Sequence, residues 1–228
     1  MEITYHGHSV VRIKEGDFNA IIDPFLSGNG LCEIGVEEIH ELSHIFVTHG
    51  HGDHIGDTVA LAKKTGALVI ANHEIAHYLM KKGVEKVHAM HIGGRKTFDF
   101  GVVKMTPALH GSGISEENGI IEGGNPGGFL IDVNGYKVYH AGDTGLTYDM
   151  KLLEDEGIDI AFVPIGGNFT MDVEDAIKSV DFIKPKSVVP MHYNTFPVVN
   201  ADPDDFKRKV VDSEVIVMDF NETIEINK

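Results

Sequence analysis

Thiols are almost absent from this chain: Cys32 is the one cysteine in 228 residues. An intramolecular disulfide and a zinc site built only from thiolates are both excluded. No stretch reaches the ~18 apolar residues of a membrane-crossing helix. The N-terminus opens on strand-like sequence, Met1-Glu2-Ile3-Thr4-Tyr5, without the basic flank and apolar run of a signal peptide. These absences predict a cytoplasmic protein with no membrane partner. Positive charge is scarce as well, with 19 Lys plus Arg against 35 Asp plus Glu and a formal charge of −16. Nucleic-acid binders draw much of their affinity from neutralising phosphates, so the acidic balance argues against a nucleic-acid partner and for a small-molecule one. The same carboxylates also serve as plain solubility charge, and oligomeric state stays open. No low-complexity tract, proline-rich linker or short-period repeat divides the chain. What is abundant is histidine, with 14 copies, in a chain 42% apolar and able to bury a core.

Extended apolar segments alternate with helical ones twice over, in two similar halves of about 1–105 and 106–228 that together read as one domain, 1–228. In the first half, strands are expected at Ala20–Pro24, His44–Thr48 and Ala67–Ala71. Helices are expected over Ile55–Thr65 and Glu74–Lys82, stopped by Gly66 and Gly83. A strand pair turning at Gly101 closes this half. In the second, Phe129–Val133 and Tyr136–His140 flank Asn134-Gly135, whose tolerance of positive φ suits a tight hairpin. Strands follow at Ile158–Val163, Ser187–Met191, Glu214–Phe220 and Thr223–Ile226, with helices at Val173–Ile183 and Asp204–Val211. Sheets covered by helices give a layered α/β sandwich.

The chemistry gathers in Thr48-His49-Gly50-His51-Gly52-Asp53-His54-Ile55-Gly56, directly after an apolar strand. In extended backbone His49 and His51 point the same way and can reach one ion. A polar turn that merely caps a helix does not require three imidazoles and a carboxylate in six positions. Metal binding needs further ligands, and three more metal-capable groups stand at strand-to-loop junctions: His110, Asp143 and His192. Nitrogen and carboxylate donors without thiolate suit Zn²⁺, and Mn²⁺ or Fe²⁺ accept the same set.

These residues resemble the metallo-β-lactamase superfamily. Its His-X-His-X-Asp-His motif is matched by His49, His51, Asp53 and His54, and its later ligands by His110, Asp143 and His192. The nearest branch is the small stand-alone metal-dependent hydrolases, similar to ascorbate-phosphate lactonase-like proteins. Its marks here are His6-Gly7-His8-Ser9, Pro164-Ile165-Gly166 with Phe169-Thr170-Met171, and Met191-His192-Tyr193-Asn194-Thr195-Phe196-Pro197. The resemblance implies a four-layer αββα sandwich with two divalent metal ions. His49, His51 and His110 would hold one, Asp53, His54 and His192 the other, and Asp143 would bridge both. A hydroxide between ions ~3.5–4 Å apart would be the nucleophile, with Asp53 and Asp143 as the catalytic carboxylates.

The function so implied is a metal-dependent hydrolase acting on a small lactone, ester or phosphoester. The fold also hosts RNA-processing nucleases, phosphodiesterases and redox proteins, and a non-catalytic metal-binding or regulatory protein is a further alternative. Redox members tend to carry glutamate at the position of His51, so His51 points to hydrolysis. Asp23, ending a buried strand before Pro24, is expected to orient a ligand by hydrogen bonding. His8 is expected either at the site rim, touching substrate, or supporting a ligand from behind, with an ordinary loop histidine as the plain alternative. Asn168, within Gly166-Gly167-Asn168, and Asn194 with Thr195 beside His192 are expected substrate contacts. His140 is expected to be structural or to support a ligand by hydrogen bonding; His6, His40, His44, His73, His77, His88 and His91 fit no ligand position. Residues 111–128, glycine-rich and lying between two ligands, are either a lid or a long surface crossing.

Overall fold

Strand alternation sets the layering of the computed structural model, which describes residues 1–227. In β3 (Phe18–Ile22) Ala20 and Ile22 face one core cluster while Ile21 faces another. In β4 (His44–Phe46) Phe46 and Ile45 divide in the same way. A strand buried on both faces must lie between two layers. Phe46 meets Phe129 edge to face across the two sheets, ring centroids 5.3 Å apart. Ile21 and Ile45 instead join Leu61, Ile75 and Leu79 of the covering helices.

Strands β1 (Glu2–Tyr5), β2 (Val11–Glu15), β3, β4, β5 (Leu68–Asn72) and β6 (Val87–Met90) form the first sheet in chain order. The second sheet has the order β15-β14-β13-β12-β11-β8-β7, from β7 (Arg95–Phe98), β8 (Gly101–Pro107), β11 (Gly127–Val133), β12 (Tyr136–His140), β13 (Ile160–Pro164), β14 (Ser187–Met191) and β15 (Glu214–Val215). In both, antiparallel pairs give way to a parallel run, β3 to β6 and β12 to β15. Strand β16 (Glu222–Glu225) returns to pair with β1, so among the described residues each of the two sheets has seven strands. Helices α2 (Thr58–Thr65) and α3 (His73–Lys81) cover the first sheet; α4 (Val173–Ile183) and α5 (Pro203–Lys209) pack together on the second. The result is an αββα sandwich.

Three segments depart from the sequence expectation. The helix expected over Ile55–Thr65 is two pieces, a short α1 (Gly52–Ile55) and α2. Gly56, at φ 36°, separates them, and a side chain there would meet the Pro24 carbonyl at 2.4 Å. The Asp57 carboxylate then accepts from the N–H groups of Leu26 and Ser27, which ties the break to the loop after β3. The strand expected over Glu214–Phe220 ends at Val215. After Ile216 donates to Val188 O, the chain must leave the second sheet to reach β1 in the first. Residues 111–128 contain a hairpin, β9 (Gly113–Glu116) and β10 (Gly119–Glu122), where a lid or plain crossing was expected. Its base is stapled: Ser112 Oγ donates to Gly123 O, and Asn72 Nδ2 donates to Gly123 O and Asn125 O.

Among the described residues no helix is long and apolar enough to cross a membrane.

Candidate metal centre

The loops after β3, β4, β8, β12 and β14 emerge at one end of the sandwich, joined there by the β1–β2 turn. Those loops carry Asp23, His49 to His54, His110, Asp143 and His192, and the turn carries His8. The ligand-motif loop packs tightly: a side chain at Gly50 would stand 2.6 Å from Ser112 O, so glycine lets it approach the base of the β9–β10 hairpin. His8, Asp23 and His192 all adopt left-handed backbone, with φ of 55°, 48° and 55°. Such conformations cost about 1–3 kcal/mol each and persist where surrounding contacts over-determine them. Here the His192 N–H donates to His8 O at 2.7 Å, and Asp23 accepts from Thr48 N at 2.8 Å and Thr48 Oγ1 at 2.6 Å.

These bonds fix tautomers. Thr48 Oγ1 gives its proton to Asp23, so it can only accept from His49 Nδ1, 3.0 Å away. His49 therefore presents a bare Nε2 lone pair. It stands 3.0 Å from His51 Nδ1, which is 3.2 Å from His110 Nε2. Three ring nitrogens converge. On the other side Asp23 Oδ2 accepts from His54 Nδ1 at 2.8 Å, leaving His54 Nε2 3.3 Å from Asp143 Oδ1. Asp143 Oδ2 lies 3.0 Å from His192 Nε2 and 3.6 Å from His110 Nε2. His8, Asp53, His54 and His192 form a second group of converging donors. The seven side chains singled out as ligands in the sequence are thus brought to one place, with Asp143 between the two groups.

The donors fit divalent cations. His54 Nε2, Asp143 Oδ1 and both ring nitrogens of His192 are buried without a hydrogen-bond partner. Each such orphan costs about 1–3 kcal/mol, and cations held there would satisfy His54 Nε2, Asp143 Oδ1 and His192 Nε2, the atoms that face one another. The electrostatics agree. Burial lowers the His54 pKa, yet the fields of Asp143 and Asp23 outweigh it and hold His54 well above its ordinary value. Burial raises Asp143, but His54 and His192 carry it well below the usual carboxylate range. The pocket therefore calls for positive charge between these groups. Burial keeps His49 and His110 low, hence neutral and able to ligate.

Of the two roles open to His8, substrate contact at the rim or support of a ligand, its burial behind Asp53 favours support. Burial pushes its pKa down to about 4, only partly opposed by Asp53. Burial also raises Asp53, but the His8 hydrogen bond and the field of His54 hold that carboxyl well below its usual range. An ionised carboxylate only accepts. His8 Nε2–H therefore donates to Asp53 Oδ2 at 3.1 Å, while Nδ1 accepts from Thr195 Oγ1 at 2.9 Å. Thr195 thus steadies His8. Asn194 Oδ1 accepts from Ala201 N and staples its own loop. Among the described residues no hydrogen bond joins Asn168 or Asn194 to the cluster. His140 Nδ1 accepts from Gly142 N and its Nε2–H donates to Ser9 O, holding the turn before Asp143. Thr48 escaped the sequence reading, although its place directly before His49 was the available signal. The accessible edge is formed by Asp53, whose side chain is 32% exposed, and His110, at 12%.

Residues 18–193 match the beta-lactamase superfamily domain family. The UPF0173 metal-dependent hydrolase of Alkaliphilus metalliredigens is 54% identical, over 97% of this chain and 98% of that one. Igni18, a metallo hydrolase from the archaeon Ignicoccus hospitalis, has 36% identity and a TM-score of 0.89, covering 99% of each chain. CmlA, a diiron β-hydroxylase from Streptomyces venezuelae, shares the fold at 17% identity and a TM-score of 0.75, with 54% of its length covered. One sandwich thus carries unlike chemistries, and fold alone does not choose among them. With near full-length identity above one half, the chain belongs to the metallo-β-lactamase superfamily and, within it, to the UPF0173 metal-dependent hydrolase family.

Proposed function

We propose that this chain hydrolyses a small lactone, ester or phosphoester with the help of two divalent cations, zinc foremost. The observation that carries the reading is the buried, unpartnered set of His54 Nε2, Asp143 Oδ1 and the His192 ring nitrogens, set between two converging donor groups. His49, His51 and His110 would hold one cation, Asp53, His54 and His192 the other, and Asp143 would serve both. Cations bound there would lower the pKa of water toward ~7 and polarise the scissile oxygen. His51 in place of a carboxylate supports hydrolysis over oxygen chemistry.

The protein's own groups do the rest. Asp23 fixes His54 directly and His49 through Thr48, so ring orientation is set before anything binds. Asp53 Oδ1, the oxygen His8 leaves free, accepts the proton of the attacking water. Its low pKa restricts it to a water already made acidic. As the new bond to carbon or phosphorus forms and the ester bond breaks, that proton passes to the departing oxygen. Leu109 beside His110 and Phe196 against His8 are exposed and supply an apolar lip for the uncharged part of a substrate. The acidic surface, with its formal charge of −16, disfavours RNA as that substrate.

The test is a panel of lactones, carboxylic esters, thioesters, phosphomonoesters and phosphodiesters on zinc-loaded protein, with Asp143→Ala beside it. Turnover of one class is expected, and the variant is expected to lose metal and turnover together. Full metal occupancy and turnover in Asp143→Ala would overturn the assignment. Silence across the panel with both ions bound would overturn the hydrolase reading.

A further inference from the structure

Strands β3, β4, β8 and β12 each run from one end of the sandwich to the donor cluster at the other. Their starting ends surround a cavity of about 450 Å³, within the usual range of small-ligand sites of ~300–1,000 Å³. A strand of this length puts about 15–20 Å between the two places. Phe18, His44, Phe98 and Phe100 line the cavity. Phe98 and Phe100 stack with centroids 5.3 Å apart and planes within 9°, Phe18 lies 4.4 Å from Phe100, and His44 stands edge-on to Phe100 at 4.5 Å. Burial pushes the His44 pKa down to about 4, so at neutral pH its ring adds no positive charge.

The charged lining side chains are of one sign. Glu15, Asp17 and Asp99 line the same cavity, and among the described residues neither lysine nor arginine does. Glu15 already holds an ammonium, the N-terminal amine of Met1 at 3.1 Å. Asp17 and Asp99 have no ion-pair partner among the described residues. Aromatic rings attract cations through their quadrupole, and the attraction strengthens when the cation is only weakly hydrated. A divalent metal fits poorly: among the described residues every group of side chains able to converge on one ion is at the other end of the strands. We infer that this cavity is a binding site for a small organic cation, a quaternary or protonated amine with an apolar body.

The test is a titration of the full-length, metal-loaded protein followed by amide chemical shifts, using choline and its neutral carbon isostere 3,3-dimethyl-1-butanol. Choline is expected to give saturable shifts at residues 17, 44 and 98–100, with the alcohol about tenfold weaker. Asp99→Asn, at an exposed turn, and Phe100→Ala are each expected to weaken choline about three- to tenfold, with metal content unchanged. Asp99→Asn keeps the test decisive if Phe100→Ala loosens the fold. Equal binding of alcohol and choline, choline shifts confined to the histidine cluster, an unaffected Asp99→Asn variant, or no saturable response by about 50 mM would each overturn the inference.

Discussion

The two ends of the same strands are built on opposite terms. At the histidine end, His8, Asp23 and His192 take left-handed backbone without being glycine, and polar atoms are buried without partners. At the other end the left-handed positions fall on residues that accept them easily: Gly16, Gly101 and the Asn134-Gly135 pair. There the walls are aromatic and the charges reach solvent. Both ends share one core, so the contrast is not one of general packing quality. At the histidine end the unfavourable local terms of His8, Asp23 and His192 are concentrated where a network of bonds from several strands holds them in place.

Asp23 is the sharpest point at which to break that contrast, since it serves both donor groups: His54 directly, His49 by way of Thr48. Asp23→Ala is expected to cost about 10–100-fold in affinity for each of the two cations, read by chelator competition on the intact protein. Loss at only one of the two would separate the groups and remove Asp23 as their common support. The variant also frees Thr48 Oγ1 to donate elsewhere, so the His49 tautomer loses its constraint.

A smaller effect is expected at His8, and it distinguishes support from substrate contact. His8→Ala removes the donor to Asp53 Oδ2 and is expected to lower kcat about tenfold, with KM little changed. It should also weaken only the cation held with Asp53. His8→Gln retains an N–H donor and is expected to recover part of the loss. A rise in KM with kcat intact would return His8 to the rim role that the sequence suggested.

Much of this site could be read from residue order because the histidine motif is contiguous and follows an apolar strand. His110, Asp143 and His192 were visible for the related reason that each stands where a strand pattern stops. The layered sandwich likewise follows from alternation in segments such as Ala20–Ile22, where period two assigns each residue to a layer. The burial of His8 was not legible. It depends on His192 N–H meeting His8 O and on Thr195 meeting the ring, contacts between the first strand turn and the last ligand loop. The break at Gly56 depends on the Pro24 carbonyl, again a partner distant in sequence. The β9–β10 hairpin lies in a glycine-rich stretch with weak alternation, and its staples come from Ser112 and Asn72. The aromatic cavity is assembled from five separate segments, at residues 15–18, 44, 68, 98–100 and 133–134, so no contiguous run of sequence announces it.

The least of these effects belongs to the opposite end and sharpens the comparison through pH. His44 is held at about 4 by burial alone, against about 6.5 in an unfolded chain. Between these values the unfolded state takes up a proton that the folded state declines, so stability falls as pH drops from about 6.5 toward 4 and is unaffected above that window. Histidines of the donor cluster add slopes of their own, but these are common to wild type and a His44 variant. His44→Gln removes only its own share. The difference in urea midpoint between His44→Gln and wild type, with metal removed, is expected to move in favour of the variant from pH 7 to pH 4.5. A difference independent of pH would mean that His44 takes its proton in the folded state as readily as in the unfolded one. The aromatic end would then be wetter than its packing indicates, and its contrast with the buried histidine end correspondingly weaker.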